Sequence, residues 1–142
     1  MKTKLVLVRG LPGSGKSTYA KNWVEQDPYN RIHREADNFF IDSGDNSYRF
    51  NAKMLPYAHQ WCIGSTAMGL YNNISIIVSN TFTQVWEMEK YFQLAKDINV
   101  GVEIVEMKTQ YGNIHSVPQD KLDKMKERWE ESPSEYQVTL IY

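Results

Sequence analysis

The segment at residues 10–17 constrains this chain more than any other. It contains Gly10, Gly13 and Gly15 at the spacing G-x-x-x-x-G-K-[ST], and it ends in Lys16 and Ser17. Glycines allow a backbone in which successive N–H groups point inward around an anion. Lys16 adds a positive charge, and Ser17 offers a hydroxyl to Mg²⁺ at the start of a helix whose dipole favours anions. The segment, called the phosphate loop below, therefore predicts a binding site for a nucleoside triphosphate.

The flanks of the phosphate loop support this prediction. Residues 5–8 form a continuous apolar run, which indicates a strand buried on both faces. A helical pattern runs from Lys16 to about Gln26, with Ala20, Trp23 and Val24 on one side. Strand, loop and helix form the context that the motif requires. The predicted nucleotide-binding residues are Gly10, Leu11, Pro12, Gly13, Ser14, Gly15, Lys16, Ser17 and Thr18.

The rest of the chain alternates between strand-like and helix-like segments. Strands are predicted near 4–9, 31–34, 74–78, 100–108 and 138–142, and helices near 54–68, 85–98 and 118–131. In the helix near 54–68, the spacing of three and four predicts a core-facing side formed by Met54, Ala58, Trp61, Cys62, Ser65 and Met68. This alternation predicts an α/β fold of the P-loop NTPase type, with a parallel sheet of about five strands and helices on both faces, in one domain over residues 1–142. Two points stay open: Pro56 either begins its helix or distorts it, and the last strand either completes this sheet or pairs with another copy.

Ligands of open α/β sheets bind beyond the carboxyl ends of the strands. The phosphate loop, Asp37 and the loop 79–83 all follow predicted strands, so we expect them to meet at one crevice. A carboxylate there can accept or orient a hydroxyl proton. Asp37 is thus a candidate catalytic residue and Mg²⁺ ligand, although a helix cap or a solvated loop acid would look the same.

Composition narrows the function classes. Apolar residues make up 42% and charged residues 23% of the chain, and the formal net charge of −1 argues against broad non-specific binding along nucleic acid. Cys62 is the only cysteine, which excludes an internal disulfide and fits a cytoplasmic location. No apolar stretch is long enough to span a membrane, and the chain enters its first strand without a signal peptide, so no membrane association is expected.

Several segments in one order resemble a family. They are 10–17, 36–40, 58–61, 80–81, 86–88 and 113–118. Together they are similar to small P-loop kinases related to the kinase domain of phage polynucleotide kinase, and to kinase-like domains of the NEDD-four-binding-protein-two type. The resemblance implies ATP with Mg²⁺ as the phosphate donor and a hydroxyl acceptor, which is a nucleic-acid 5′-hydroxyl in polynucleotide kinases. It also implies that Asp37 accepts the proton of that hydroxyl or orients it, and that His115 in a lid contacts nucleotide or substrate. Lys16, which would hold the phosphates, is the second candidate catalytic residue.

Two positions depart from this pattern. Ser79 stands where the family has an aspartate, and Gly112 stands where the lid carries an arginine. Arg34, Arg49 or Lys108 are candidates to replace the missing positive charge. Two functions remain open: transfer of the γ-phosphate to a nucleic-acid 5′ end or a nucleoside, or a catalytically degenerate nucleotide-binding module that acts through a protein partner.

The histidines are weaker candidates for functional residues. His33, His59 and His115 do not have the spacing of metal ligands. His59 is expected to be a hydrogen-bonded structural residue, because it shares a helix with core positions.

Overall fold

A computed structural model describes residues 2–109 and 117–142. Within these ranges the strands are β1 (Lys4–Arg9), β2 (Arg31–Arg34), β3 (Ser75–Ser79), β4 (Gly101–Met107) and β5 (Gln137–Ile141). The helices are α1 (Lys16–Glu25), α2 (Leu55–Tyr71), α3 (Trp86–Ile98) and α4 (Gln119–Arg128), with short 3₁₀ helices at Ala36–Phe40 and Ala52–Met54. The expectations for His115 and Gly112 concern positions outside the described residues.

The strands form one parallel sheet in the order β2-β3-β1-β4-β5. The predicted α/β fold of the P-loop NTPase type is therefore confirmed. The last strand pairs with β4 and completes the chain's own sheet. This order places the phosphate loop beside the ends of β3 and β4, and the loop after β2 beside the end of β3.

β1 is the centre of the core because it is apolar on both faces. Leu5 and Leu7 pack into one buried cluster with residues of α2 and α3, while Val6 and Val8 pack into a second cluster with Ala20 of α1. Burial of both faces fits the continuous apolar run in the sequence. The end of β1, and with it the phosphate loop, is thus held from both sides.

The face that α2 buries differs from the predicted one. Its buried residues recur every fourth position, at Ala58, Cys62, Thr66 and Leu70. The sequence pattern had placed Met54, Trp61 and Met68 inward, but these side chains are exposed to the extent of 37%, 37% and 69%. His59 is also exposed and does not share the buried face of α2. Pro56 lies in the first turn, where its missing N–H costs nothing, so the helix begins near it.

Across the described ranges, each helix is too short or too polar to cross a membrane.

Candidate nucleotide-binding site

The glycines of the phosphate loop serve two different purposes. Gly13 and Gly15 have φ angles of 81° and 91°, a left-handed conformation that favours glycine. Gly10 is needed for space instead, because a Cβ there would lie 2.5 Å from Ser14 Oγ and 3.1 Å from the backbone oxygen of Met107. The sequence-based explanation by backbone conformation thus applies to Gly13 and Gly15, whereas at Gly10 the constraint is crowding.

The loop ends at the beginning of α1. Gly15 precedes the helix without a side chain to cap it, and the first turn contains no acidic residue. The first N–H groups of a helix have no intrahelical partners, so they are available to an anion. The hydroxyl of Ser14 is buried without a hydrogen-bond partner among the described residues. These features suit the phosphate groups of a nucleotide.

Lys16 lies folded against the loop. Its Nζ donates a hydrogen bond of 3.0 Å to the carbonyl oxygen of Leu11. Burial lowers the pKa of Lys16 to about 8, although the negative charges of Glu35 and Asp37 oppose this change. The ammonium group is therefore poorly compensated before a phosphate binds. A bound phosphate would supply the missing negative charge.

Glu35, immediately after β2, is the centre of the polar contacts near Ser17. Its Oε2 accepts hydrogen bonds of 2.9 Å from Ser17 Oγ and 2.9 Å from Ser79 Oγ, and it lies 3.5 Å from His33 Nε2. His33 Nε2 is also 2.6 Å from Ser79 Oγ. Burial alone would raise the pKa of Glu35, but the hydrogen bond and charge of His33, with the two hydroxyls, lower it to about 2. The carboxylate is thus ionised at neutral pH.

This ion network predicts an acid dependence of stability. The pKa of Glu35 is depressed from about 4.5 in the unfolded chain to about 2 in the folded protein, so its contribution is present above pH 4.5 and is lost as pH falls towards 2. The contribution is on the order of 3 kcal/mol. We expect the urea-unfolding free energy of Glu35→Gln to fall less between pH 5 and pH 3 than that of the wild type. Equal slopes would contradict the assignment.

Asn80 joins the three loops that the sequence predicted to converge. Its Oδ1 accepts a 3.0 Å hydrogen bond from the N–H of Ala36, and its own N–H donates to Val8. The N–H of Gly10 donates to Thr81, 3.3 Å away. The loops after β1, β2 and β3 are therefore directly connected at one edge of the sheet.

Asp37 lies at this edge, with few contacts to the described residues. It is exposed in the first turn of the 3₁₀ helix Ala36–Phe40, and its Oδ1 is 3.4 Å from the hydroxyl of Tyr48. Exposed aromatic side chains follow it along the chain: Tyr48, Phe50, Tyr57 and Trp61. Among these aromatic residues, Tyr48 is the one whose hydroxyl lies beside the Asp37 carboxylate.

Arg9, the last residue of β1, is a charged residue with 0% exposure. Its guanidinium group donates to the carbonyl oxygens of Phe82 and Thr83, at 2.6–3.2 Å, and to Ser132 Oγ at 2.8 Å. It lies 3.6 Å from Glu106 Oε1 and 4.0 Å above the ring of Trp129. Arg9 therefore ties the strand before the phosphate loop to β4 and to the segment after α4.

A cavity of about 220 Å³ opens beside the phosphate loop, on the side of β4. It is lined by Leu11, Met107, Lys108, Lys126 and Trp129. Lys108 Nζ forms a 2.8 Å ion pair with Glu106 at the cavity wall. The cavity wall combines the apolar surface of Leu11, Met107 and Trp129 with two lysines.

The candidate replacements for the lid arginine differ in their surroundings. Arg49 is exposed and is paired with Asp45 at 3.1 Å and Asp42 at 3.9 Å, in its own loop. Lys108 is paired with Glu106 next to the cavity. Arg34, at the end of β2, has a buried Nε without a hydrogen-bond partner in the described part of the chain.

Sequence reasoning missed Glu35 and Arg9. Glu35 directly follows the predicted second strand, at the same sheet edge as Asp37, but its contact with Ser17 arises only in the assembled fold. Nothing in the sequence pattern marks Arg9 as buried.

The residues present suit Mg²⁺ bound together with a nucleotide. Mg²⁺ prefers oxygen ligands and is usually held by one or two carboxylates plus phosphates and waters. Ser17 and Glu35 provide a hydroxyl and an ionised carboxylate in direct contact. No group of three or more His, Cys, Asp or Glu side chains in residues 2–109 and 117–142 could hold a metal alone. Phosphates and waters would supply the further ligands of a metal ion held by this pair.

Comparison with known families identifies the class of this chain. A family model described as an AAA domain matches residues 5–130, and the chain belongs to this family. The predicted resemblance to small P-loop kinases of the polynucleotide kinase type is also confirmed.

Particular relatives agree with the family. Human NEDD4-binding protein 2 is 35% identical over 136 residues, which cover 89% of this chain but only 8% of that protein. The structure of Kti12 of Chaetomium thermophilum, in complex with ADP-AlF3, is similar with a TM-score of 0.70 at 14% identity. The match covers 96% of this chain and 88% of the Kti12 chain. A structure of the Pnkp1/Rnl/Hen1 complex has a TM-score of 0.62 at 18% identity, over 87% of this chain and 38% of its own.

Proposed function

We propose that this protein binds ATP, or another nucleoside triphosphate, with Mg²⁺ and transfers the γ-phosphate to a hydroxyl group. The acceptor class that we propose is a nucleic-acid 5′-hydroxyl or a nucleoside hydroxyl. One observation carries the proposal: an exposed carboxylate, Asp37, lies in the loop after β2, at the sheet edge where Asn80 and Thr81 join that loop to the phosphate loop. Phosphoryl transfer requires mainly positioning and charge neutralisation, and both are provided by these groups.

Each residue has a defined role in this proposal. The phosphate-loop amides and Lys16 hold the phosphates, and Ser17 with Glu35 would hold Mg²⁺, which neutralises phosphate charge when bound. The cavity beside Leu11 would hold the nucleoside. Asp37 would accept or orient the proton of the attacking hydroxyl.

The acceptor class is supported by the surroundings of Asp37. Tyr48 and Phe50 are 55% and 54% exposed, and such side chains can stack nucleobases. A solved relative of the Pnkp1 type is described as part of an RNA repair complex. The net charge of −1 fits contact with a single end better than contact along a strand.

Asp37→Asn is expected to slow transfer of labelled γ-phosphate by about 10²-fold, because the amide cannot accept the hydroxyl proton. The assay offers single-stranded oligonucleotides with a free 5′-hydroxyl and, separately, nucleosides. Asp97→Asn is the matched control, since Asp97 lies near the end of α3 and its carboxylate accepts a hydrogen bond from Gln93. Wild-type protein that transfers phosphate to neither acceptor would refute the proposal.

The second candidate is a nucleotide-binding module without turnover that acts through a protein partner. Ser79 favours it, because a hydroxyl at the end of β3 carries no charge for the metal site. This candidate predicts nucleotide binding without transfer to any hydroxyl acceptor.

A further inference from the structure

The position of Glu35 is set by strand register. β2 pairs with β3 so that Arg34 is opposite Val78, which places Glu35 next to Ser79. Adjacent strands lie about 4.8 Å apart. Ser79 is small enough for the longer glutamate side chain to pass over the end of β3 and reach Ser17, the first-turn residue of α1. A carboxylate from β2 thus arrives beside the phosphate loop, across an intervening strand.

The contacts of Glu35 are concentrated on one oxygen. Ser17 Oγ, Ser79 Oγ and His33 Nε2 all lie within 3.5 Å of Oε2. The hydroxyl of Ser17 donates its hydrogen bond to this carboxylate, so the lone pairs of Ser17 Oγ remain available to a cation. The carboxylate side chain is 23% exposed, which leaves it accessible from the crevice.

Other carboxylates near the site are less suited to this position. Glu106 is engaged by Lys108 and Arg9 behind the sheet edge. Asp37 is exposed and directed towards Tyr48. Among residues 2–109 and 117–142, Glu35 is the acid whose carboxylate accepts a hydrogen bond from Ser17.

We propose that Glu35 is the carboxylate that holds the Mg²⁺–nucleotide complex, in partnership with Ser17, and that Ser79 keeps β3 uncharged to make room for it. The site then accommodates one carboxylate, delivered from β2. A second one at position 79 would lie within hydrogen-bond distance of the first and would repel it. This inference rests on the nucleotide-binding half of the proposed function and does not require phosphate transfer.

The test measures binding of a non-hydrolysable ATP analogue by calorimetry, with Mg²⁺ and with EDTA. In Glu35→Gln the Mg²⁺-dependent gain in affinity is expected to fall by about 10–100-fold. Affinity in EDTA is expected to stay equal or to rise, because a negative charge beside the phosphates has been removed. Binding in EDTA also reports that the variant is folded. A Glu35→Gln protein that keeps the full Mg²⁺-dependent gain would overturn the inference.

Two further variants separate the carboxylate from its neighbours. Ser79→Ala removes a hydroxyl but leaves Glu35, so the Mg²⁺-dependent gain should persist. A loss as large as that of Glu35→Gln would transfer the role to Ser79 and overturn the inference. Glu25→Gln, an exposed acid at the end of α1, should behave as wild type and controls for the change in net charge.

The double variant Glu35→Gln/Ser79→Asp tests whether the carboxylate can be supplied from the end of β3 instead of the end of β2. Ser79 Oγ lies 2.9 Å from Glu35 Oε2, so an aspartate at 79 would place a negative charge close to the one that Glu35→Gln removes. We expect it to restore most of the Mg²⁺-dependent gain. A double variant no better than Glu35→Gln would contradict the view that one carboxylate at this point is sufficient. Absence of nucleotide binding by wild type would refute the proposed function, whereas binding without transfer would refute only the kinase activity.

Discussion

Lys16→Ala is expected to abolish measurable phosphate transfer, with a loss on the order of 10³-fold, and to weaken ATP binding. The ammonium group is buried against the phosphate loop, with Leu11 as its hydrogen-bond acceptor. It is therefore positioned to neutralise phosphate charge in a place that excludes much of the solvent. Transfer rates and calorimetric affinity measure the two effects, with Lys21→Ala, an exposed lysine of α1, as the control.

Lys16→Ala should lower activity without lowering the stability of the nucleotide-free protein. Burial lowers the pKa of Lys16 to about 8, which means that its charged form destabilises the free protein below that pH. We therefore expect the thermal midpoint of Lys16→Ala without nucleotide to be equal to or higher than that of wild type. A variant that melts early would indicate that lost activity follows from unfolding. A folded variant that binds ATP as wild type does would contradict the assigned role.

The same pKa predicts how binding depends on pH. Above pH 8 the free protein increasingly holds Lys16 in its neutral form, so ATP binding must be accompanied by proton uptake. Affinity should decline as pH rises from 8 to 10, and Lys16→Ala should lack this decline.

The phosphate loop could be predicted because its chemistry is local. Gly13 and Gly15 need left-handed backbone conformations, and Lys16 and Ser17 follow at a fixed spacing. The central strands could be predicted as well, because a continuous apolar run indicates a strand that is buried on both faces of a parallel sheet. Convergence of three loops followed from topology, and the contacts of Asn80 confirm it.

Glu35 could not be assigned from the sequence for a physical reason. Its contact with Ser17 depends on the register of β2 against β3 and on the small size of Ser79. Neither is encoded near residue 35. The prediction of the buried side of α2 was wrong for a similar reason, because residues spaced by three or four define several overlapping faces of a helix. Packing in the buried cluster around Leu5 and Leu7 selects the face of Ala58 and Cys62, and leaves Trp61 exposed.

Arg9 shows the same limit more strongly. Its hydrogen-bond partners Phe82 and Ser132 are 73 and 123 residues away in sequence. A charged residue at a strand end would ordinarily be expected in solvent. Only the assembled fold provides the carbonyl oxygens, the carboxylate and the indole ring that make its burial tolerable.

Glu106→Gln is expected to destabilise the protein by about 3–5 kcal/mol, because it leaves the charge of Arg9 buried without its counter-ion. Glu106 also accepts hydrogen bonds from Ser132 and Lys108, so the substitution weakens the link between β4 and the segment after α4. Urea unfolding at pH 7 measures the change. The loss should affect the phosphate loop as well, since Arg9 directly precedes Gly10.

The chain contains a matched control on the same two strands. Lys4 and Glu103 form an ion pair of 3.4 Å between β1 and β4, but their side chains are 36% and 37% exposed. Because water screens that pair, Glu103→Gln should cost at most about 1 kcal/mol. Adding Arg9→Met to Glu106→Gln should recover part of the loss, as an apolar side chain needs no counter-ion. Equal effects of Glu103→Gln and Glu106→Gln would show that burial does not govern the Arg9 pair, and that the segment after α4 is held by its other contacts.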